Sequence, residues 1–279
     1  MGSNLRRGVY PLYHRDWQNH QKKMPQNLLT IAYYTLLEAA RNRLLYLVAL
    51  ILAVALAFAL FLKQVAITES NDIQLAFLAA LFRLAAVFIA AAFVIVSQVR
   101  EANDKVMDLL LTRNLSRSEY LFGKMLGYLA TALLLAILFT LPLCVYAPIN
   151  RALTWGISLF LELSIVTALS LFCVLTFNQV VGSLAAVTGF YVLSRSMAVL
   201  QLIGASRIGE GNLWLDRIAN YVLEAIAFFL PRLDLFTQTG WLLGHDPIQI
   251  NAPWLVAQCV TYVALLCFAA LFDLKRKNF

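Results

Sequence analysis

Residues 98–124 read QVREANDKVMDLLLTRNLSRSEYLFGK, a charged island between two long apolar runs. Asp104 to Leu111 has room for two helical turns, with Val106, Leu109 and Leu110 at three- and four-residue steps and Met107, Leu110 and Leu111 beside them. Lys105 and Asp108 lie between these apolar positions, and Thr112-Arg113-Asn114 suits a bend. Ser116 followed three residues later by Glu119 is the pattern of a capping box, in which each side chain takes up a free amide of a new helix. The island therefore predicts a short helix, a turn and a capped helix leading into the next apolar run. On residues alone, the short helix is either a protein-docking element or part of a solvated loop whose apolar side chains lie on a lipid surface.

The runs on either side set the class. The chain has 279 residues, 61% hydrophobic and 13% charged, with a mean hydropathy of +0.75. A water-soluble domain of this length cannot hide so much apolar surface, so the expectation is an all-α polytopic membrane protein. Six spans are predicted, at about 44–62, 73–99, 125–147, 153–177, 180–203 and 253–274. The first holds 19 uncharged residues; at 1.5 Å per residue it reaches about 28 Å, close to the hydrocarbon thickness. Pro148 is expected to end the third span, with Asn150 and Arg151 in a tight loop after it. The neutral pair Asn178-Gln179 reads as the turn between the fourth and fifth.

Residues 1–27 are polar, basic and aromatic and read as a cytoplasmic tail, with Met24-Pro25-Gln26 an alternative start. There is no pattern of a cleavable signal, and Arg6 breaks a myristoylation motif. Residues 28–43 carry Leu28, Leu29, Ile31, Ala32, Leu36 and Ala39 at helical steps, then Arg41-Asn42-Arg43. They predict an interfacial helix, the alternative being an inward extension of the first span. Residues 204–252 are patterned but carry Asp216, Arg217 and Glu224. Those charges are costly in mid-bilayer, so short external re-entrant helices are expected rather than a seventh span.

Basic residues give the orientation. With the N-terminus inside, fifteen of the 22 Lys and Arg and seven of the 15 acids lie on the cytoplasmic side. That side then carries a formal +8 and the remainder −1. The net +7 is a topology signal, with no nucleic-acid meaning.

Enzyme chemistry finds little footing. Histidine occurs only at 14, 20 and 245, outside every span, and Gly156-Ile157-Ser158 starts like a nucleophile elbow but has Phe160 where glycine is needed. No GxxxxGK[ST] is present, so this chain does not cradle ATP by a P-loop. The four cysteines lie in apolar runs without CxxC spacing and read as core residues, with neither a disulfide framework nor a metal site. Three intramembrane charges stand out: Arg83 and Arg195 in the outer half and Glu162 near mid-span. They either line a path or outer vestibule, for instance for an anionic group, or pair structurally, as Arg83 with Glu162. Gly123 and Gly127 form a GxxxG at the start of the third span, and Gly182 and Gly189 lie in the fifth; both favour close helix packing within or between subunits.

The order of an acid, Met107-Asp108-Leu109-Leu110-Leu111-Thr112, Asn114-Leu115-Ser116-Arg117-Ser118-Glu119 and Leu121-Phe122-Gly123-Lys124 resembles the cytoplasmic loop of ABC-2-type transporter permeases. The resemblance extends to the helix ending Arg41-Asn42-Arg43, to six spans, and to Leu230-Pro231-Arg232-Leu233-Asp234-Leu235-Phe236 before the last span. It is similar above all to the subgroup that includes the permease of nitrous-oxide reductase maturation, with Asn114 departing from a common proline. The resemblance implies a half-transporter of the bacterial inner membrane, both termini cytoplasmic. Two permease copies would bind two ATPase subunits, which hold ATP and Mg; this chain would bind no cofactor and no metal. Residues 104–111 would be the coupling helix, with Glu101, Asp104, Lys105, Val106, Met107, Asp108, Leu110, Leu111, Arg113, Ser116 and Glu119 as coupling residues and the turn at Asn178-Gln179 as a lesser contact. An ATP-independent channel or carrier and a membrane assembly protein are the alternatives; a carrier predicts inverted repeats and broken helices.

Overall fold

The computed structural model describes residues 28–42, 44–65, 70–104, 116–206, 221, 230–237, 242 and 252–276. Among them the chain is helical and no strand occurs. Helix α1 covers residues 28–41, and α2 is Leu44–Val65, α3 Ser70–Asn103, α4 Arg117–Tyr146, α5 Ile149–Phe177, α6 Val180–Ser206 and α7 Ala252–Arg276. A 3₁₀ turn spans Leu233–Leu235. Helices α2 to α7 are each long and apolar enough to cross a membrane. A multi-pass membrane protein, with six spans among the described residues, follows from their length and composition.

The predicted span edges agree with these helices to within a few residues except at α4, which begins at Arg117 and takes in the capped segment and the third span as one helix. Both halves of the box at its start are formed. Ser116 Oγ accepts from the Glu119 amide at 3.2 Å, and the Ser116 amide donates to Glu119 Oε2 at 2.9 Å.

The connection after α4 is shorter than the sequence suggests. Only Ala147 and Pro148 separate α4 from α5, and Asn150 and Arg151 belong to the first turn of α5 instead of a loop. Proline has a preset φ and no N–H to satisfy, so it serves as the N-cap of α5 at φ −55°. Its carbonyl at once accepts from the amides of Arg151 and Ala152. The turn at Asn178-Gln179 is as expected. Asn178 adopts φ 55° and donates its amide to the Val174 carbonyl, a left-handed cap that asparagine tolerates better than most residues.

Helix α5 lies at the centre and packs against α3, α4, α6 and α7. Its interior hydroxyls turn back on their own helix: Ser164 to the Phe160 carbonyl, Thr167 to Ser164 and Ser170 to Val166. Apolar helix packing has no water to expel between spans, and these small residues allow close approach. The gap between α3, α4 and α5 is filled by Phe82, Phe139, Tyr128 and Trp155, all buried. The four cysteines are free.

The bundle has two distinct ends. Helix α1, the end of α3, the start of α4, the α5–α6 turn and the end of α7 share one, here termed the basic end. The α2–α3 and α4–α5 connections share the other, the far end.

Candidate functional site

Helix α1 meets the bundle through glycine. A Cβ on Gly127 would lie 2.5 Å from Thr35 Cβ, and one on Gly123 would lie 2.9 Å from Ile31 Cβ. Ile31 and Thr35 are one helical turn apart, as are Gly123 and Gly127, so two ridge residues of α1 seat on the two bare positions of α4. The GxxxG pair is thus used within the chain. The face of α1 that packs is Ile31, Thr35, Glu38 and Ala39, whereas Leu29, Tyr33 and Tyr34 are exposed. Of the apolar positions that gave the interfacial helix its pattern, only Ala39 is fully enclosed by the bundle.

Around that seat the basic end carries one connected polar network. The side-chain amide of Gln98 has two protons. It donates to the Tyr128 hydroxyl at 3.0 Å and to the Tyr120 hydroxyl at 3.4 Å. Tyr128 donates on to Ser97 at 3.4 Å, and Ser97 to Glu38 at 3.1 Å. Glu38 is also paired with Arg100. Along the second branch Tyr120 donates to Glu101 at 2.8 Å, and Glu101 is paired with Lys124. Each branch ends on a carboxylate neutralised by a cation. Tyr120, Gly123, Lys124, Gly127 and Tyr128 all lie on the buried side of α4. The network thus fastens α1, the end of α3 and the start of α4 together on both sides of residues 104–116.

Of the residues expected to couple, Glu101 belongs to this network and Ser116 and Glu119 form the cap. Asp104 is exposed and closes the α3 helix, its amide bonding the Arg100 carbonyl. Lys105, Val106, Met107, Asp108, Leu110, Leu111 and Arg113, and with them the expected coupling helix, lie outside the described residues. So do the tail at 1–27 and most of the expected external helices in 204–252.

The three intramembrane charges are joined in a second cluster. Arg83 and Glu162 form an ion pair at 2.6 Å, with side chains 3% and 0% exposed. Tyr191 donates to the other Glu162 oxygen at 2.9 Å, and Arg195 donates to the Tyr191 hydroxyl at 2.9 Å. Arg83 also donates to the Phe236 carbonyl at 2.9 Å, reaches Ser158 Oγ at 3.3 and 3.4 Å, and lies 5.0 Å from the Trp155 ring centroid. Ser158 itself donates to the same Phe236 carbonyl. Ser194 donates to the Pro231 carbonyl at 2.8 Å.

Residues 230–237 are therefore held by their main chain, with Leu233 and Phe236 buried. Carbonyls that would otherwise be orphaned inside an apolar bundle find donors on α3, α5 and α6. The cluster carries a formal +1, and its excess cation is Arg195, which is half-buried on α6.

Sequence reading had no view of Ser158, Tyr191 and the Phe236 carbonyl here, or of Ser97, Gln98, Tyr120 and Tyr128 at the basic end. Spacing held a partial signal. Ser158 precedes Glu162 by four residues, Tyr191 precedes Arg195 by four, and Tyr120, Lys124 and Tyr128 repeat at four. Polar residues at helical period inside a span point to one shared buried face.

Among the described residues no three of His, Cys, Asp and Glu gather as a metal ion would require. No protein-family model matches the chain, and no curated protein matches it.

Proposed function

We propose that the chain is the membrane permease subunit of an ATP-driven transporter of the ABC-2 type, an exporter of the bacterial inner membrane with both termini in the cytoplasm. It pairs with a second permease copy, and the pair takes two ATPase subunits that bind ATP and Mg. Residues 104–111 are the coupling helix and seat on the ATPase.

The observation that carries this reading is the construction on either side of residues 104–116. A segment that merely connected two spans would need no reinforcement. Here the exit has a complete capping box, and the flanking helix ends are fastened to each other by Glu101 with Lys124 and to α1 by Glu38 with Arg100. A push delivered between stiff, mutually fastened helices reaches the spans without being absorbed by local bending. The spans α2 to α7 are also continuous helices, whereas carriers that bind their cargo in mid-membrane typically use interrupted ones.

In this function the buried cluster at Arg83, Glu162 and Arg195 divides by role. Arg83 and Glu162 hold the packing of α3 on α5, and the half-buried Arg195 faces the translocation path. The test is co-purification from the native host. An ATPase is expected to remain bound to the wild-type chain and to be lost with Met107→Asp or Leu110→Asp. Equal retention by both variants would overturn the coupling role of 104–111.

A further inference from the structure

Arg117 is the first residue of α4, directly after the cap residue Ser116. Its Nη1 donates to the carbonyl of Leu274 at 2.9 Å and reaches that of Lys275 at 3.3 Å. These are the closing carbonyls of α7, which ends at Arg276. The last carbonyls of a helix have no partner inside it, and they carry the negative end of its dipole. Arg117 supplies a donor and a positive charge to them from a helix 157 residues away.

Apart from one long thiol contact, Cys259 Sγ donating to the Leu161 carbonyl at 3.5 Å, the rest of the contact around α7 is of another kind. Its buried residues are Leu255, Cys259, Leu266, Cys267, Ala270 and Leu274, an apolar seam packed chiefly on α5. Apolar packing is non-directional and resists axial sliding or rotation weakly compared with a hydrogen bond at one end. A bond from Arg117 sets the axial position of α7 relative to the start of α4.

We propose that Arg117 is a positioning residue that joins the end of α7 to the helix ends flanking residues 104–116, so that the last span moves with α4. Four segments are then fastened at the basic end: α1 and α3 through Glu38 and Arg100, α3 and α4 through Glu101 and Lys124, and α4 and α7 through Arg117. The tether takes its role from the coupling function proposed above, but its measurement needs no ATPase.

The test is hydrogen–deuterium exchange on the full chain in lipid nanodiscs. Four variants are compared: Arg117→Gln, Arg117→Lys, a chain ended after Asp273 so that the accepting carbonyls are gone, and Arg117→Gln combined with that shortening. The shortened chain is expected to exchange about tenfold faster at amides 119–124, where no residue has changed, because a hydrogen bond to a charged donor contributes roughly that factor or more. Arg117→Gln is expected to give similar acceleration at both 119–124 and 270–273, and the combined variant no more at 119–124 than either alone, since all three remove the same pair of bonds, from Arg117 to the Leu274 and Lys275 carbonyls. Arg117→Lys, which retains a cationic donor, is expected to restore most of the protection and keeps the test readable if Arg117→Gln folds poorly. Unchanged exchange at 119–124 in the shortened chain, or additive effects, would overturn the proposal. Equal ATPase retention by the Met107 and Leu110 variants would overturn the coupling role of 104–111 and leave this exchange result standing.

Discussion

The ion pair of Arg83 with Glu162 makes a prediction whose size and asymmetry both come from the geometry. Glu162→Leu would leave the Arg83 guanidinium, 3% exposed, without its counter-charge. Arginine is not deprotonated in proteins, so the charge would stay, held by neutral acceptors alone: the Ser158 hydroxyl, the Phe236 carbonyl and the Trp155 ring. Breaking a buried pair by removing one partner costs about 3–5 kcal/mol. For a chain of this size that corresponds to a drop in melting temperature on the order of 10 °C.

Arg83→Leu strands Glu162 in turn, but Tyr191, with Arg195 behind it, still faces that carboxylate. Combining Arg83→Leu with Glu162→Leu removes both charges; the Phe236 carbonyl and the Ser158 hydroxyl each lose a donor and Tyr191 loses its acceptor, while Ser158 stays bonded to that carbonyl. The double variant is therefore expected to melt above at least the Glu162→Leu single variant. Exchanging the charges, Arg83→Glu with Glu162→Arg, should not rescue. The exchange puts a carboxylate against the Phe236 carbonyl and an arginine against Tyr191, which already accepts from Arg195. Thermal unfolding of purified protein followed by size-exclusion fluorescence reads all four variants. Strict additivity of the two single changes, or full recovery on charge exchange, would refute the assignment of this cluster as an energetic unit built around a main-chain carbonyl.

Two further outcomes are expected. Gly127→Ala should destabilise by about 1–3 kcal/mol through overpacking. Because the collision is with Thr35 Cβ at 2.5 Å, Thr35→Gly should relieve it and Thr35→Ala should not, as read by cross-linking between α1 and α4; rescue by alanine would move the contact elsewhere. Ser116→Ala should cost about 1 kcal/mol, the usual loss of a cap, and Ser116→Asp should restore most of it; an unchanged melting temperature with Ser116→Ala would show that the capping box contributes nothing.

What was legible in the sequence is what hydropathy and local spacing control. Long uncharged runs specify spans because a backbone in lipid must satisfy its own hydrogen bonds. The Ser116–Glu119 cap and the Asn178 turn are decided by residues three or four apart, and both stand where they were expected. The loop at Asn150 and Arg151 failed because polar residues beside a proline read as a break, although proline at a helix start is favourable. The packing face of α1 was half-legible, since its apolar pattern was visible but the ridge that packs is Ile31 and Thr35 on bare glycine. Apart from the pairing of Arg83 with Glu162, one of the two readings of those charges, the two polar clusters were opaque because their partners are far apart in the chain: Arg83 and Phe236 are separated by 153 residues and Glu38 and Ser97 by 59. Hydropathy marks a buried charge as costly but carries nothing about which distant carbonyl or hydroxyl will meet it.

Helix α3 is the element that joins the two clusters. It contributes Ser97, Gln98, Arg100 and Glu101 to the basic end and Arg83 to the buried ion pair. From Arg83 to Gln98 the sequence is RLAAVFIAAAFVIVSQ, without glycine or proline, so the usual sites of kinking are missing from that stretch. Fifteen residues at 1.5 Å each separate the two positions by about 22 Å. Over that length Ala86, Val87, Ala90, Ala91, Val94 and Ile95 are buried, and the packed face resists bending along its whole run. A displacement of the basic end along the helix axis must then appear at Arg83 with little attenuation. There it meets the Phe236 carbonyl, a hydrogen bond at 2.9 Å whose geometry tolerates little travel before it breaks. The bond to residues 230–237 thus registers movement of α3 together with the Arg83–Glu162 pair, and the Ser194 bond to Pro231 holds the same segment to α6. Relative motion of α3 and α6 cannot leave both bonds intact.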